Sequence, residues 1–219
     1  MTQRCRGCGG PFVSRDEPFC RRCDERRLEQ SIDAWERQWL EDRASVAQWA
    51  RNVLAEGCLI LDTETTGLDG YIVQLAVIDG HGQVLIDTLV QPEAEIEEEA
   101  MAVHGISQAL VKGAPTFAAL HEQLYALLKG RTVAVYNLSF DQDVLLRERH
   151  RMGHTPGRRN LYGAHWQDVM IPYSTFVGEP GRNDDYRWQR LPGGDHTAQG
   201  DCQATLAVLW ELAEWRLPT

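Results

Sequence analysis

Asp62 and Glu64 stand two residues apart at the polar end of an apolar run, CLILDTET. Such a run reads as a strand, and side chains alternate along a strand, so both carboxylates point to one face. Two carboxylates side by side in a largely buried strand repel each other, and a cation between them relieves the repulsion. Asp141 follows the run RTVAVYN and opens a helix in YNLSFDQDVL. That puts a third carboxylate at the carboxyl end of a strand, where sites form in open α/β sheets. His196 and Asp201 form H-x-x-x-x-D where a Gly-rich stretch enters the last helix. The Asp can project from the first turn while the His stays on the loop. Four carboxylates and one imidazole therefore come from three segments. Phosphoryl transfer by two hard metal ions calls for such a set: oxygen ligands for Mg²⁺ or Mn²⁺ and a base for water.

The elements that must position these residues can be read from the pattern. CLILDTET and YIVQLAVID (71–79) are apolar on both faces, as buried strands are. QVLIDTLVQ (83–91) alternates more, as nearer an edge, and the joining DGHGQ reads as a hairpin turn. Helices are expected near Glu97–His104, at 116–129, at 140–152 and from Thr197 to Trp215, with strands at 131–137 and within HWQDVMIPYSTF. Residues 178–195, rich in Gly, Pro, Asp and Arg, read as a loop. The expected fold is α/β: a mixed sheet of about five strands with helices on both faces.

Two further segments precede this domain. Cys5, Cys8, Cys20 and Cys23 read C-x-x-C-x11-C-x-x-C in residues 1–23, which have too little apolar content for a core. Four thiolates suit one tetrahedral Zn²⁺; an iron site of similar ligation and free thiols are the rivals. Residues 24–56 carry Leu28, Ile32, Trp35, Trp39, Val46, Trp49 and Val53 at heptad-like spacing, interrupted by Asp42. They read as one long amphipathic helix, its stripe buried on the chain's own domain or on a second copy in a homodimer. The expected division is thus a Cys₄ arm (1–23), a linker helix (24–56) and an α/β domain (57–219).

The formal net charge is −10, and after residue 43 there are 13 basic against 23 acidic residues. Such a body grips long duplex poorly, since counterion release needs many Lys and Arg contacts. A short single-stranded end held by cations remains open to it. The basic stretch Arg147, Arg149, Arg151, Arg158 and Arg159 reads either as a guide for a phosphate backbone or as a soluble helix face. The acidic run Glu93, Glu95, Glu97, Glu98 and Glu99 reads as a solvated face. No run of 18 or more apolar residues is present, so no membrane span is expected. The opening MTQRCRGC lacks the apolar core of a secretory signal, and Cys58 and Cys202 lie apart in apolar surroundings. Both point to a reducing compartment, and we expect a cytoplasmic protein.

LDTETTGL, YNLSFDQDVL and HTAQGDC resemble the three exonuclease motifs of the DEDDh 3′–5′ exonucleases, the DnaQ-like branch of the ribonuclease H-like superfamily. VHGISQALVKGAPTF (103–117) is similar to that family's stretch between motifs one and two. The resemblance covers roughly Cys58 to Leu212. It implies a ribonuclease H-like fold and release of 5′-mononucleotides from the 3′ end of single-stranded DNA or RNA. It implies that Asp62, Glu64, Asp141 and Asp201 hold two metals and that His196 is the general base. Thr65, Thr66, Gly67 and Leu68 would touch the terminal nucleotide, with His104 and Asn137 as further substrate contacts. One departure is Tyr136, where many relatives have His before the Asn. The alternative reading is a nucleic-acid or protein-binding adaptor that keeps the fold. A third reading keeps the nuclease and makes residues 1–56 an adaptor to a larger nucleic-acid-processing complex, with a substrate-binding arm as the other role open to them.

Overall fold

The computed structural model describes residues 3–12, 18–154, 157–182 and 185–217. Met1, Thr2 and residues 13–17 of the Cys-rich arm lie outside the described residues, as do Asn183 and Asp184 and the side chains of Arg158 and Arg159. The chain divides into two compact units, 1–43 and 44–219.

In the first unit, β1 (Gln3–Arg4) pairs antiparallel with β2 (Pro11–Phe12). The turn between them carries Cys5 and Cys8. Helix α1 (Arg21–Ala55) opens just after Cys20, so Cys23 lies in its first turn. Within this unit Leu28, Ile32 and Trp35 are exposed. Trp35 stacks on Trp39 at 5.8 Å between ring centroids, which covers part of each indole.

The second unit takes up α1 from Ala44, and here the stripe is covered. Val46, Ala50 and Val53 are buried with Cys58, Ile60, Ala76 and Ile78. They pack against a five-stranded sheet in the order β5–β4–β3–β6–β7. Strands β3 (Leu59–Thr65), β4 (Ile72–Asp79) and β5 (Val84–Leu89) are antiparallel; β6 (Thr132–Val135) and β7 (His165–Asp168) continue parallel to β3. Between β5 and β6 run α2 (Glu98–His104), α3 (Gln108–Val111) and α4 (Phe117–Leu128). Helix α5 (Leu138–Arg151) follows β6, α6 (Met170–Val177) follows β7, and α7 (Ala198–Glu214) closes the chain's regular structure.

The two faces are filled by alternate residues of the same strands. Leu59, Leu61, Leu75 and Val77 meet Leu124 and Leu128 of α4 and Val144 and Leu145 of α5. Ile60, Ala76 and Ile78 meet Leu206 and Leu209 of α7 and the end of α1. That is why β3 and β4 read as apolar throughout, whereas edge strand β5 buries mainly Ile86. This is the mixed ribonuclease H-like sheet expected from the sequence.

HWQDVMIPYSTF holds a strand only in its first part, and the rest is α6. Asp168 ends the strand and caps this helix, its Oδ1 accepting from Ile171 N at 3.0 Å. Pro172 sits in the first turn of α6, where an absent N–H costs nothing.

The break in the α1 stripe yields a stability prediction. Val53→Ala should destabilise the fold by roughly 2 kcal/mol, the scale of buried methyl groups and the cavity they leave. Leu28→Ala should stay within about 0.5 kcal/mol, as surface changes do. Denaturant unfolding of both checks this, and equal losses would show that the outer half of the helix is covered in solution.

Candidate active site

The site forms where the sheet opens. β6 pairs with β3 at Leu59↔Val133 and Ile60↔Ala134, then ends at Val135. Beyond that point Asp62 and Glu64 of β3 stand at the crevice left between diverging strand ends, the place where α/β sheets bind ligands. Both lie on the Ile60 side of the strand, towards α7. A register shift against β4 falls between Glu64 and Thr65 and ends the regular strand there.

Two helices deliver the other acids, each from its first turn. Asn137 precedes α5 in a left-handed conformation (φ 61°), and Asp141 follows as the fourth residue of the helix. Asp168 accepts from Leu138 N at 3.0 Å and so fixes the start of α5. Asp141 is buried and accepts a hydrogen bond of 2.7 Å from Thr63 Oγ1. Thr63 lies between the two acids of β3 but on the opposite face of the strand. Nothing in the motif spacing says which helix crosses that face.

Asp201 is the fourth residue of α7, whose N-cap Thr197 accepts from Gly200 N. Asp201 Oδ1 accepts from Asp195 N at 2.8 Å and His196 N at 3.2 Å, folding the preceding loop over the helix start. A Cβ at Gly194 would lie 2.9 Å from Asp201 Oδ1, so a side chain there would have to displace that carboxylate. His196 is exposed and left-handed (φ 60°). One side-chain atom each of Glu64, His196 and Asp201 lies within 4.8 Å of the others.

Charge crowding dominates the electrostatics. Burial first, then repulsion from Asp141, Glu64 and Asp201, drives the Asp62 carboxyl well above its ordinary range. Burial and the charges of Asp201 and Asp141 push Glu64 up to about 8. Asp141 rises to about 7 through burial, although Thr63 opposes the shift. Among the described residues no Lys or Arg ion pair to these four acids is found. The donors found are neutral: the Thr63 hydroxyl and backbone N–H groups. An all-oxygen set, buried or half-buried, crowded and without a cationic ion-pair partner among the described residues, fits hard divalent cations.

The remaining candidates lie to one side of the acids. Glu64, Thr65, Gly67, Leu68, His104 and Phe140 line a cavity of about 420 Å³, with Glu97, Glu99, Ala100 and Val103. Thr65 Oγ1 donates to Gly67 O at 2.8 Å. Thr66 is buried, its hydroxyl accepting from Tyr71 N, so it braces the turn and is not among the lining residues. His104 Nδ1 accepts from Ile106 N at 3.0 Å, which leaves Nε2–H to donate to Thr65 O at 3.1 Å. Burial lowers its pKa, in keeping with a neutral ring holding that carbonyl. Asn137 is absent from the lining, and its Oδ1 accepts from Ser139 Oγ.

Sequence reasoning missed Thr63, Phe140, Val103 and Asp168. The acidic run Glu93, Glu95, Glu97, Glu98 and Glu99 is exposed as expected, and Glu97 and Glu99 of that solvated face also line this cavity. A charge run shows where acids are dense, not which of them border a cavity. Tyr136 is buried, and its hydroxyl donates to Gln189 O at 3.0 Å, tying the loop before α7 to the end of β6.

The geometry can be set beside known proteins. Residues 59–209 match the RNase_T family model, described as exonuclease. The chain is 31% identical over 185 residues to the uncharacterized exonuclease CP81 of Escherichia phage 186, covering 78% of this chain and 95% of that one. An 89-residue stretch is 38% identical to exodeoxyribonuclease 10 of Escherichia coli K12 and covers 39% of each chain. A structure of E. coli exonuclease I in complex with a dA16 oligonucleotide shares the fold at 18% identity and TM-score 0.57, over 72% of this chain and 42% of that one. The chain thus spans nearly all of the phage relative but under half of the other two. Fold and acid cluster together define an exonuclease, an enzyme that hydrolyses phosphodiester bonds. The chain belongs to the RNase_T exonucleases, the DEDDh 3′–5′ exonuclease family.

The crowding fixes a sign for the pH dependence of the cation-free protein. A carboxyl raised on folding keeps its proton in the folded state over a window in which the unfolded chain has lost it. Stability therefore falls as pH rises from the ordinary carboxylate range through about 7 for Asp141 and about 8 for Glu64. Melting temperatures in chelator should drop between about pH 5 and pH 8. Glu64→Gln should flatten that drop. Mg²⁺ or Mn²⁺ should restore more stability at the upper end than at the lower. A wild-type profile that climbs across this window, or a Glu64→Gln slope as steep as wild type, would contradict the crowding.

Proposed function

We propose that this enzyme removes 5′-mononucleotides from the 3′ end of single-stranded DNA or RNA, using two Mg²⁺ or Mn²⁺ ions held by Asp62, Glu64, Asp141 and Asp201. The observation that carries this reading is the convergence of Glu64, Asp201 and His196 within 4.8 Å beside the buried Asp141. When bound, such ions polarise the phosphodiester, lower the pKa of water and neutralise charge on the attacking and leaving oxygens.

The chain's own residues supply the rest. His196 stands on the loop that Asp201 holds closed, and its ring takes the proton from the attacking water. It must be neutral at that moment, so it acts as a base. The cavity beside Glu64 takes the terminal nucleotide, and its volume lies in the range of small-ligand sites, roughly 300–1,000 Å³. Leu68 and Val103, both exposed, and Phe140 offer apolar surface to a base. Thr65 and Gly67 offer backbone groups for its sugar, with Thr66 and His104 holding that turn in place. Asn137 contributes the strained entry to α5. A single strand suits this site because only one nucleotide enters the cavity and the acidic body offers little to a duplex.

A second reading of His196 has support in the same geometry. Its ring nitrogen shares the 4.8 Å group with two acids and could itself be a ligand. Mn²⁺ affinity and single-turnover rate, measured together, separate the two. Asp62→Asn should abolish cation-supported turnover. His196→Ala should keep Mn²⁺ affinity nearly intact and slow the chemical step by roughly 10²–10⁴, the range for loss of a general base. Loss of Mn²⁺ in His196→Ala as severe as in Asp62→Asn would make His196 a ligand.

The Cys₄ cluster is proposed as a structural Zn²⁺ site. One sulfur each from Cys5, Cys8, Cys20 and Cys23 lies within 4.8 Å of the others. All four are free thiols, with Cys8 Sγ and Cys20 Sγ 3.8 Å apart. Cys20 N donates to Cys5 Sγ at 3.2 Å, and backbone donors of this kind lower the Cys5 thiol to about 6. Hydrogen bonding to the Cys20 and Cys5 sulfurs pushes Cys23 up to about 12, so a proton is retained among them where a cation would serve better. Free thiols throughout suit a reducing compartment, and the cytoplasm is the proposed location. Elemental analysis should find about one zinc per chain, as in closed Cys₄ sites. Cys20→Ser combined with Cys23→Ser should remove it and raise the protease sensitivity of the first unit. Purified protein with neither zinc nor iron would contradict the assignment.

A further inference from the structure

We propose that Trp188, flanked by Arg187 and Arg190, is a stacking platform for the single strand upstream of its terminal nucleotide. The inference rests on the exonuclease reading above and deepens it, since a nuclease that acts at a strand end must also hold the strand behind that end.

Trp188 exposes 69% of its surface, in a segment whose backbone is braced on both sides. Tyr186 pairs with Pro180 in an isolated antiparallel bridge, and Arg187 N donates to Glu179 O at 2.9 Å. On the other side, Gln189 N donates to Ser174 Oγ at 3.0 Å, and Gln189 O accepts from Tyr136 Oη at 3.0 Å. Leu191, two residues further, packs on the core. The indole is therefore held in solvent by an ordered backbone. A platform ordered in advance loses little conformational freedom when a base stacks on it.

The chemistry around the ring selects the occupant. Its chain neighbours are Arg187, Gln189 and Arg190, and both arginines are exposed. Arg187 shares its charge with Glu179 at 3.6 Å. In a unit with 13 basic and 23 acidic residues, two arginines within two positions of an exposed indole form an unusual combination. An apolar protein partner would be met by an apolar surround, whereas the described residues that share a surface hollow with Trp188 include Arg182, Asp185 and Arg187. Aromatic stacking with adjacent cations is how single strands are held without sequence preference, because every base has a π-face.

Position links the platform to the site. Tyr136 opens the turn out of β6, next to Asn137, so its bond to Gln189 fixes the loop at the end of the sheet where the acids gather. Eight residues after Trp188 the same segment reaches His196. The Tyr136 hydroxyl stays a donor, because burial raises its pKa above the ordinary phenol range.

The test is binding of the full chain to 5′-labelled single strands of increasing length, by fluorescence anisotropy with Ca²⁺ in place of Mg²⁺. Wild type should gain affinity as the strand lengthens past the terminal nucleotide. Trp188→Ala should lose roughly 5- to 150-fold of that gain, the range for one stacked base, while Trp188→Phe keeps most of it. Melting temperature, measured alongside, establishes that the variants are folded. Equal length dependence in wild type and Trp188→Ala overturns the proposal and assigns the indole to another occupant, such as a protein. A wild type without length dependence overturns it too. The measurement needs no cleavage, so failure of the platform and failure of the exonuclease reading are distinguishable.

Discussion

Mutual repulsion among Asp62, Glu64, Asp141 and Asp201 is the constraint around which this molecule is arranged. Like charges in a partly buried crevice oppose folding unless protons or cations neutralise them. A cheaper arrangement would place an ammonium or guanidinium among them. That would also fill the space a cation needs. The donors to these acids include instead the Thr63 hydroxyl and the N–H groups of Asp195 and His196. Each orients an oxygen without cancelling its charge. The cost of leaving the charge uncancelled falls on the rest of the domain, whose two apolar layers on the sheet must offset it.

The sheet and the two helices solve the delivery problem in the same way. A strand can present two acids to one face by alternation, but more along the same strand would move away from the crevice at about 3.3 Å per residue. The other acids must therefore come from elsewhere. Asp141 and Asp201 are each the fourth residue of a helix, and a non-glycine residue in the left-handed region precedes each helix closely: Asn137 and His196. Asn and His tolerate that region better than most residues, and strain of this sort gathers at functional sites. The first turn of a helix also favours a carboxylate through its unpaired N–H groups. Together these features let two chain reversals aim two acids at a third element.

The parts of this arrangement legible in the sequence are those encoded locally. D-x-E on an apolar run, an acid just after a strand and H-x-x-x-x-D before a helix each need only a few residues to define their geometry. Strands β3 and β4 were equally plain, because burial on both faces leaves an unbroken apolar run. What was hidden depends on neighbours remote in sequence. Thr63 matters because α5 crosses its face of the sheet, and Glu97 because the Thr66–Gly67 turn lies against it, with Glu97 N donating to Thr66 O at 2.9 Å. The α1 stripe shows the limit most directly. Its apolar positions recur from Leu28 to Val53 with one interruption at Asp42, yet Val53 is buried and Leu28 is 64% exposed. Periodicity identifies the apolar face of a helix and says nothing about where the surface that covers it ends.

Tyr136 shows how a departure from a family pattern can be read physically. The position precedes Asn137, where many members of the family carry His. A phenol reaches further than an imidazole and ends in a hydroxyl that burial keeps protonated. Here that hydroxyl meets the Gln189 carbonyl, which the loop before α7 brings over the end of β6. The segment rich in Gly, Pro, Asp and Arg, which composition marks only as a loop, is thereby fixed at its midpoint. Its far end is fixed by Asp201, which accepts from two of its N–H groups. The strand end that leads into Asp141 and the loop that carries His196 are thus joined by side-chain bonds as well as by the acids they share. A displacement at either end would be felt at the other through a segment only a dozen residues long, with Tyr136 as the residue that makes the connection.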